Sequence, residues 1–253
     1  MKRLVIAGLA AGLALAGCGG AGSGRSSPER VPVTVLAAAS LKSVFTKLEP
    51  QFEAANPGAD LQFSFGGSSE LAQQIVNGAP ADVFASANEA QMKVIQDAGK
   101  VAGTPEPFVT NVLTIVVPPG NPKNIQSFAD LAKPGITEVV CAPQVPCGAA
   151  TTKIEKATNI TLSPASEETD VLAVLSKVEV RVADAGLVYV TDARTAAGKV
   201  QEINFPEASK AVNTYPIAAI NNAPHAQLAK AFVAFVLSPD ARRQFAEAGF
   251  GAA

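Results

Sequence analysis

The chain has 253 residues, 48% of them hydrophobic, and carries 20 Lys and Arg against 22 Asp and Glu. That length and apolar content allow one large domain or two small ones with a sizeable core. The near-balanced charge, without a basic tract or basic–aromatic interleaving, excludes a nucleic-acid footprint, and a single His beside three Cys excludes a histidine-rich metal site.

Met1-Lys2-Arg3 is basic and Leu4 to Ala16 is almost purely apolar, a run too short for a comfortable membrane span. It ends Leu15-Ala16-Gly17-Cys18, which resembles the lipobox of bacterial lipoproteins. That resemblance implies cleavage of residues 1–17 and a diacylglycerol on Cys18, so the protein is expected to be lipid-anchored to the cell membrane on its extracytoplasmic face. Loss of Lys2 and Arg3 takes the 20 basic residues to 18 against 22 acidic ones, a mature formal charge of about −4. Residues 18–30, rich in Gly and Ser, read as a flexible tether.

The folded part begins with one device used twice. Val33-Thr34-Val35 and Leu61-Gln62-Phe63-Ser64-Phe65 alternate as strands do, pass through small residues to Ser40 and to Gly67-Ser68, and lead into amphipathic helical patterns. Serine before a helix suits an N-cap, and a helix start leaves N–H groups without partners. Two such turns side by side would donate hydrogen bonds without formal charge, which suits an anion.

Helical spacing predicts a helix over 41–52 (Leu41, Val44, Phe45, Leu48, Phe52), ended by Asn56-Pro57-Gly58, and another after Ser68 that stops at Asn77-Gly78. A short strand at 81–86 and a helix over 89–98 follow. Val112 to Val117 reads as a buried strand, 128–133 as a short helix, 137–142 as a strand, and Pro146-Cys147-Gly148 as the start of a helix. Residues 167–178 read as helical, 185–190 and 214–220 as strands, and 225–237 and 239–248 as closing helices, the last capped by Ser238 with Pro239 in its first turn. The alternation predicts an α/β layer with a mostly parallel sheet. His225 is expected near a helix start and exposed, and Phe205-Pro206 and Tyr215-Pro216 read as packing. Asp82 and Asp192, at strand ends, are open to two readings: an acid–base carboxylate pair, or helix caps and inter-lobe hydrogen bonds.

Cys141 and Cys147 flank five residues. Outside the cytoplasm a disulfide is the favoured reading, with free structural thiols and a reactive thiol as alternatives. Two thiolates with no third ligand nearby make a poor zinc site.

The ordered motifs Ala37-Ala38-Ala39-Ser40-Leu41, Gly67-Ser68-Ser69-Glu70-Leu71, Gly78-Ala79-Pro80-Ala81-Asp82-Val83, Ala183-Asp184-Ala185-Gly186-Leu187-Val188-Tyr189 and Ser238-Pro239-Asp240-Ala241 through Phe250 resemble the molybdate-binding components of bacterial ABC importers, from about Val33 to Phe250. The resemblance implies a periplasmic-binding-protein fold of the second type. Its two α/β lobes are joined by two crossover strands, with the ligand cleft between them. Lobe 1 is then residues 31–112 with 213–253, and lobe 2 is 113–212. The resemblance further implies a non-enzymatic monomer without cofactor that binds molybdate or tungstate and hands it to a transmembrane permease with its ATPase. A receptor for another tetrahedral oxyanion such as sulfate is the alternative. Carried to this chain, the ligand set is Ser40 and Ser68 by hydroxyl and N–H, Cys147 and Val171 by backbone N–H, and Tyr189 by its phenol, with no direct cation ligand. Two positions depart from the family pattern: Cys147 stands where alanine is common, and Leu172 where arginine often follows.

Overall fold

The computed structural model describes residues 30–253. The expected leader 1–17, the lipidated Cys18 and the tether up to residue 29 lie outside the described residues. None of the described helices is long and apolar enough to cross a membrane.

Two sheets divide the strands. The first contains β1 (Val31–Ala38), β2 (Ala59–Gly66), β3 (Val83–Ala85), β4 (Val101–Asn111), β10 (Asn213–Ile220) and β11 (Gly251–Ala252), in the order β11-β4-β10-β3-β1-β2. The second contains β5 (Leu113–Val117), β6 (Glu138–Cys141), β7 (Ser166–Glu168), β8 (Ala185–Tyr189) and β9 (Gln201–Ile203), in the order β7-β6-β8-β5-β9. The chain crosses from the first sheet to the second between β4 and β5, and returns into β10.

Helices α1 (Lys42–Ala55), α2 (Ser68–Val76), α3 (Glu89–Asp97), α8 (Ala226–Val236) and α9 (Pro239–Ala248) accompany the first sheet. Helices α4 (Phe128–Leu131), α5 (Pro146–Thr158), α6 (Val171–Glu179) and α7 (Val190–Thr195) accompany the second. The alternation seen in the sequence puts apolar faces on the sheets. Phe45 and Phe52 of α1 meet Phe232 of α8 edge-on at 5.6 and 5.2 Å between ring centroids. Phe245 of α9 packs on Phe108 of β4 at 5.3 Å. Emptying one such buried ring position costs about 3–5 kcal/mol.

The sheets are mixed rather than mostly parallel. β1 pairs in parallel with β2 and β3, but β10 runs antiparallel to β3 and β4, and β5 antiparallel to β8 and β9. Each crossover brings the chain into the next sheet in the reverse sense, which strand–helix alternation does not reveal. β4 has no counterpart among the expected elements. Its Pro105 and Pro107 speak against a central strand, yet β11 pairs only with Val109 and Thr110, so the proline-bearing half lies at a sheet edge. The helix expected over 167–178 begins later, because Ser166–Glu168 pairs with β6 as β7.

Ser40 and Ser68 are not the caps they resemble. Ser40 lies inside a 3-10 turn, Ala39–Leu41, that precedes α1, and Ser68 is already the first residue of α2, with Gly67 as its N-cap. Their hydroxyls are thereby free for other partners. Ser238 does cap α9, accepting from Ala241 N at 3.3 Å.

Candidate functional site: a cavity between the two sheets

Five chain segments begin helices or helical turns around one small cavity. Its lining includes Ser40 before α1, Gly67 and Ser68 at the start of α2, Cys147 in the first turn of α5, Val171 at the start of α6 and Tyr189 just before α7. All five ligand positions expected from the sequence thus line the same space. The first turn of a helix has N–H groups without helical partners and the positive end of its dipole. Several such ends converging on one space form an anion site built from neutral groups.

Each wall has a local cause. At α5, Pro146 occupies the first turn, where its missing N–H costs nothing, and Cys147 follows. Cys147 is bonded to Cys141, with the two Cα atoms 5.6 Å apart. The disulfide is the reading that holds, and it fastens the end of β6 to the start of α5. Gly148 is required next to it, since a Cβ there would strike the carbonyl oxygens of Cys141 and Ala142. At α6, Asp170 also lines the cavity, but its Oδ1 accepts from Leu172 N at 2.8 Å and Ala173 N at 3.0 Å. Those bonds leave the Val171 N–H unclaimed by the cap.

The hydroxyls are held from behind. Ser68 Oγ accepts from Ala87 N at 3.0 Å. Ser40 Oγ lies 3.0 Å from Tyr215 Oη. Tyr189 Oη accepts from Asn213 Nδ2 at 2.9 Å. Both phenols are fully buried, and desolvation pushes each above the ordinary tyrosine range, so both stay protonated and able to donate. Tyr215 and Asn213 were not among the expected site residues. Tyr215-Pro216 reads as packing from sequence alone, and Asn213 carries no local motif.

Asp82 and Asp192 do not come together as an acid–base pair. Asp82 accepts from Thr34 N at 2.8 Å and His225 N at 2.9 Å, and is not in the cavity wall. Asp192 is buried at α7, where it accepts from Tyr189 N at 3.2 Å. Burial raises its carboxyl to about 7, against that backbone bond, with the Asp170 charge adding to the rise. His225 precedes α8 and is partly buried rather than exposed, with Nδ1 3.7 Å from Asp82 Oδ2. Leu172 lies over an adjoining groove that also reaches Lys42, Lys47 and Asp192. No group of three or more metal-ligating side chains occurs among the described residues.

The walls of the cavity come from both sheets, and they touch. Thr169 of the second sheet's side presses its carbonyl against Gly67. Asn111, at the end of β4, donates to Thr191 Oγ1 at 2.8 Å, and Gln91 Nε2 donates to the Gln144 carbonyl at 2.9 Å. The cleft is closed.

A family model described as bacterial extracellular solute-binding protein matches residues 33–251. The molybdate-binding protein ModA of Mycobacterium tuberculosis is 50% identical over 249 residues, covering 98% of this chain and 95% of its own length. Among solved structures, the periplasmic molybdate-binding protein of Azotobacter vinelandii superposes with a TM-score of 0.76 at 22% identity, over 87% of this chain and 99% of that one. The sulfate-binding protein SubI of Mycobacterium tuberculosis gives 0.75 at 23%, over 87% and 86%. These two establish the type II periplasmic-binding-protein fold, with two α/β lobes and crossover strands. The chain belongs to the bacterial extracellular solute-binding protein family, in the branch that holds the molybdate-binding proteins.

Proposed function

We propose that the chain captures molybdate, and tungstate with it, outside the cytoplasm and delivers it to an ABC importer. The observation that carries this is the convergence of Ser40, Ser68, Cys147, Val171 and Tyr189 on one closed cavity whose nearest carboxylate, Asp170, is engaged by backbone amides. Ser40 and Ser68 donate through hydroxyl and N–H, Cys147 and Val171 through N–H, and Tyr189 through its phenol. Molybdate, tungstate and sulfate are dianions that present acceptors only. Phosphate near neutral pH keeps an O–H and needs an acceptor facing it. A cage of neutral donors stabilises a dianion because each bond is charge-assisted. Lys42 and Lys47, beside the adjoining groove, supply local attraction that the net negative chain does not.

Residues 31–112 with 213–253 act as one lobe and 113–212 as the other, and the two segments that cross between them act as the hinge. Binding and release follow parting and closing of the lobes. The receptor works as a monomer, anchored through lipidated Cys18, and presents the closed form to a permease coupled to an ATPase. Cys18→Ala should release the protein from the membrane or block its processing. An unmodified mature N-terminus at another residue, found by mass spectrometry, would end the anchor assignment.

Titration calorimetry with molybdate, tungstate, sulfate and phosphate tests the ligand. Tight binding of the first two, weak or absent sulfate and no phosphate are expected. Sulfate binding as tightly as molybdate would move the assignment to the sulfate receptors, whose member SubI shares this fold.

A further inference from the structure

Two short segments, one from each lobe, meet beside the cavity. The first lobe supplies the stretch that leads from β3 into α3. There Ala87 N donates to the Ser68 hydroxyl at 3.0 Å, and Ser86 Oγ donates to the Asn88 carbonyl at 2.7 Å. Asn88 caps α3, its Oδ1 accepting from Gln91 N at 2.9 Å. The second lobe supplies the loop closed by the Cys141–Cys147 bond. Inside it Val145 N donates to the Ala142 carbonyl at 2.9 Å, and Ala142 N donates to the Glu168 carbonyl at 2.9 Å. The loop ends at Cys147, a wall of the cavity.

Gln91 Nε2 joins the two segments, donating to the Gln144 carbonyl at 2.9 Å. Gln144 is exposed and Gln91 is half-buried, so the bond lies at the surface edge of the cleft. Both of its ends are braced. The acceptor is a main-chain oxygen three residues before Cys147, and the donor stands four residues after Ala87, in the capped first turn of α3. Only the Gln91 side chain has to settle when the bond forms, which keeps the ordering cost small. The bond joins groups of different lobes, so it forms after the lobes have met and breaks before they part. It therefore has no part in the entry of an anion, but stands in the way of its exit.

We propose that Gln91 and the Gln144 carbonyl form a latch that sets how long the closed receptor holds its anion, with Gln91 governing release without touching the ligand. This rests on the oxyanion-receptor reading above and names a residue that controls its release step. Ser68 and Cys147, one ligand position from each lobe, are thereby joined through Ala87, the α3 cap, Gln91 and the disulfide loop.

The test measures association and release of molybdate in wild type, Gln91→Ala, Gln91→Glu and Gln91→Lys. Tyrosine fluorescence follows binding in stopped flow, since the chain has no Trp and its two tyrosines are Tyr189, in the cavity wall, and Tyr215, 3.0 Å from Ser40 Oγ. The slope of the observed rate against molybdate concentration gives association, and its product with the calorimetric Kd gives release. Gln91→Ala should release roughly three- to tenfold faster, the equivalent of one net hydrogen bond, with association unchanged. Gln91→Glu, which sets a carboxylate against the Gln144 carbonyl, should release at least as fast as Gln91→Ala. Gln91→Lys, which restores a donor of similar reach, should return release toward wild type. Melting of the ligand-free proteins should be alike, because the side chain is at the surface. Release unchanged in Gln91→Ala, or quickened as much in Gln91→Lys, overturns the inference, as does an effect on association alone. Wild-type protein that binds no molybdate overturns instead the reading on which it rests.

Discussion

Gly67 and Thr169 meet across the cleft so closely that the glycine has no room for a Cβ, which would strike the Thr169 carbonyl oxygen. The glycine is not there for its backbone conformation, since its φ of −65° suits any residue. It is there because the second lobe's backbone closes onto it. Gly67→Ala should therefore leave the fold intact and hold the lobes apart. Small-angle scattering should show wild type compacting on molybdate addition and the variant staying extended, with affinity lowered at least tenfold. A variant that compacts and binds as wild type would show that the contact is incidental to closure.

Among the cavity groups, Ser40→Ala and Tyr189→Phe each remove one of the donors proposed for the anion. Each should weaken molybdate by roughly 1–3 kcal/mol, the cost of a missing bond to a charged group. Calorimetry on the two single variants checks this, with thermal melting of the ligand-free proteins as the control. Neither substitution mattering would remove these residues from the ligand set.

The Cys141–Cys147 bond closes a loop of six residues' separation. Chain-entropy arithmetic for so short a loop gives about 2–3 kcal/mol. Reduction should lower the denaturation free energy by about that amount, and thiol labelling of the secreted protein should find both cysteines blocked. Labelling of both without reductant would contradict the bond.

Asp192 makes stability depend on pH. Its carboxyl is raised to about 7 by burial in the folded state, against an unfolded value near 4. A raised carboxyl binds its proton more tightly when folded, so its contribution is fully present below about pH 4 and is lost as pH rises through 7. Melting temperature should fall between pH 5 and 8 in wild type, by more than in Asp192→Asn, whose amide oxygen can still accept from Tyr189 N. Asp130, held at about 2 chiefly by its bond to Lys133, titrates below that window and does not confuse the comparison. Parallel pH profiles for the two proteins would remove Asp192 as the source.

The sequence exposes what is local and hides what is distant. Ser40, Ser68, Cys147, Val171 and Tyr189 each stand at a helix start, and small residues, proline or an apolar strand beside them mark the place. α9 is legible to the residue because Ser238, Pro239 and Gly249 punctuate it. The groups behind the hydroxyls leave no such mark. Tyr215 reaches Ser40 across 175 positions and Asn213 reaches Tyr189 across 24, and neither partner shares a spacing rule with the other. β7 and β9 are three residues each and largely polar, so no alternation announces them. The antiparallel β10 looks, residue by residue, like any other buried strand.

The covalent link between β6 and α5 ties anion capture to geography. Cys147 is at once half of that link and a wall of the cavity. Reduction would therefore unfasten the turn ahead of α5, the same turn that sets the Cys147 amide in the cavity wall.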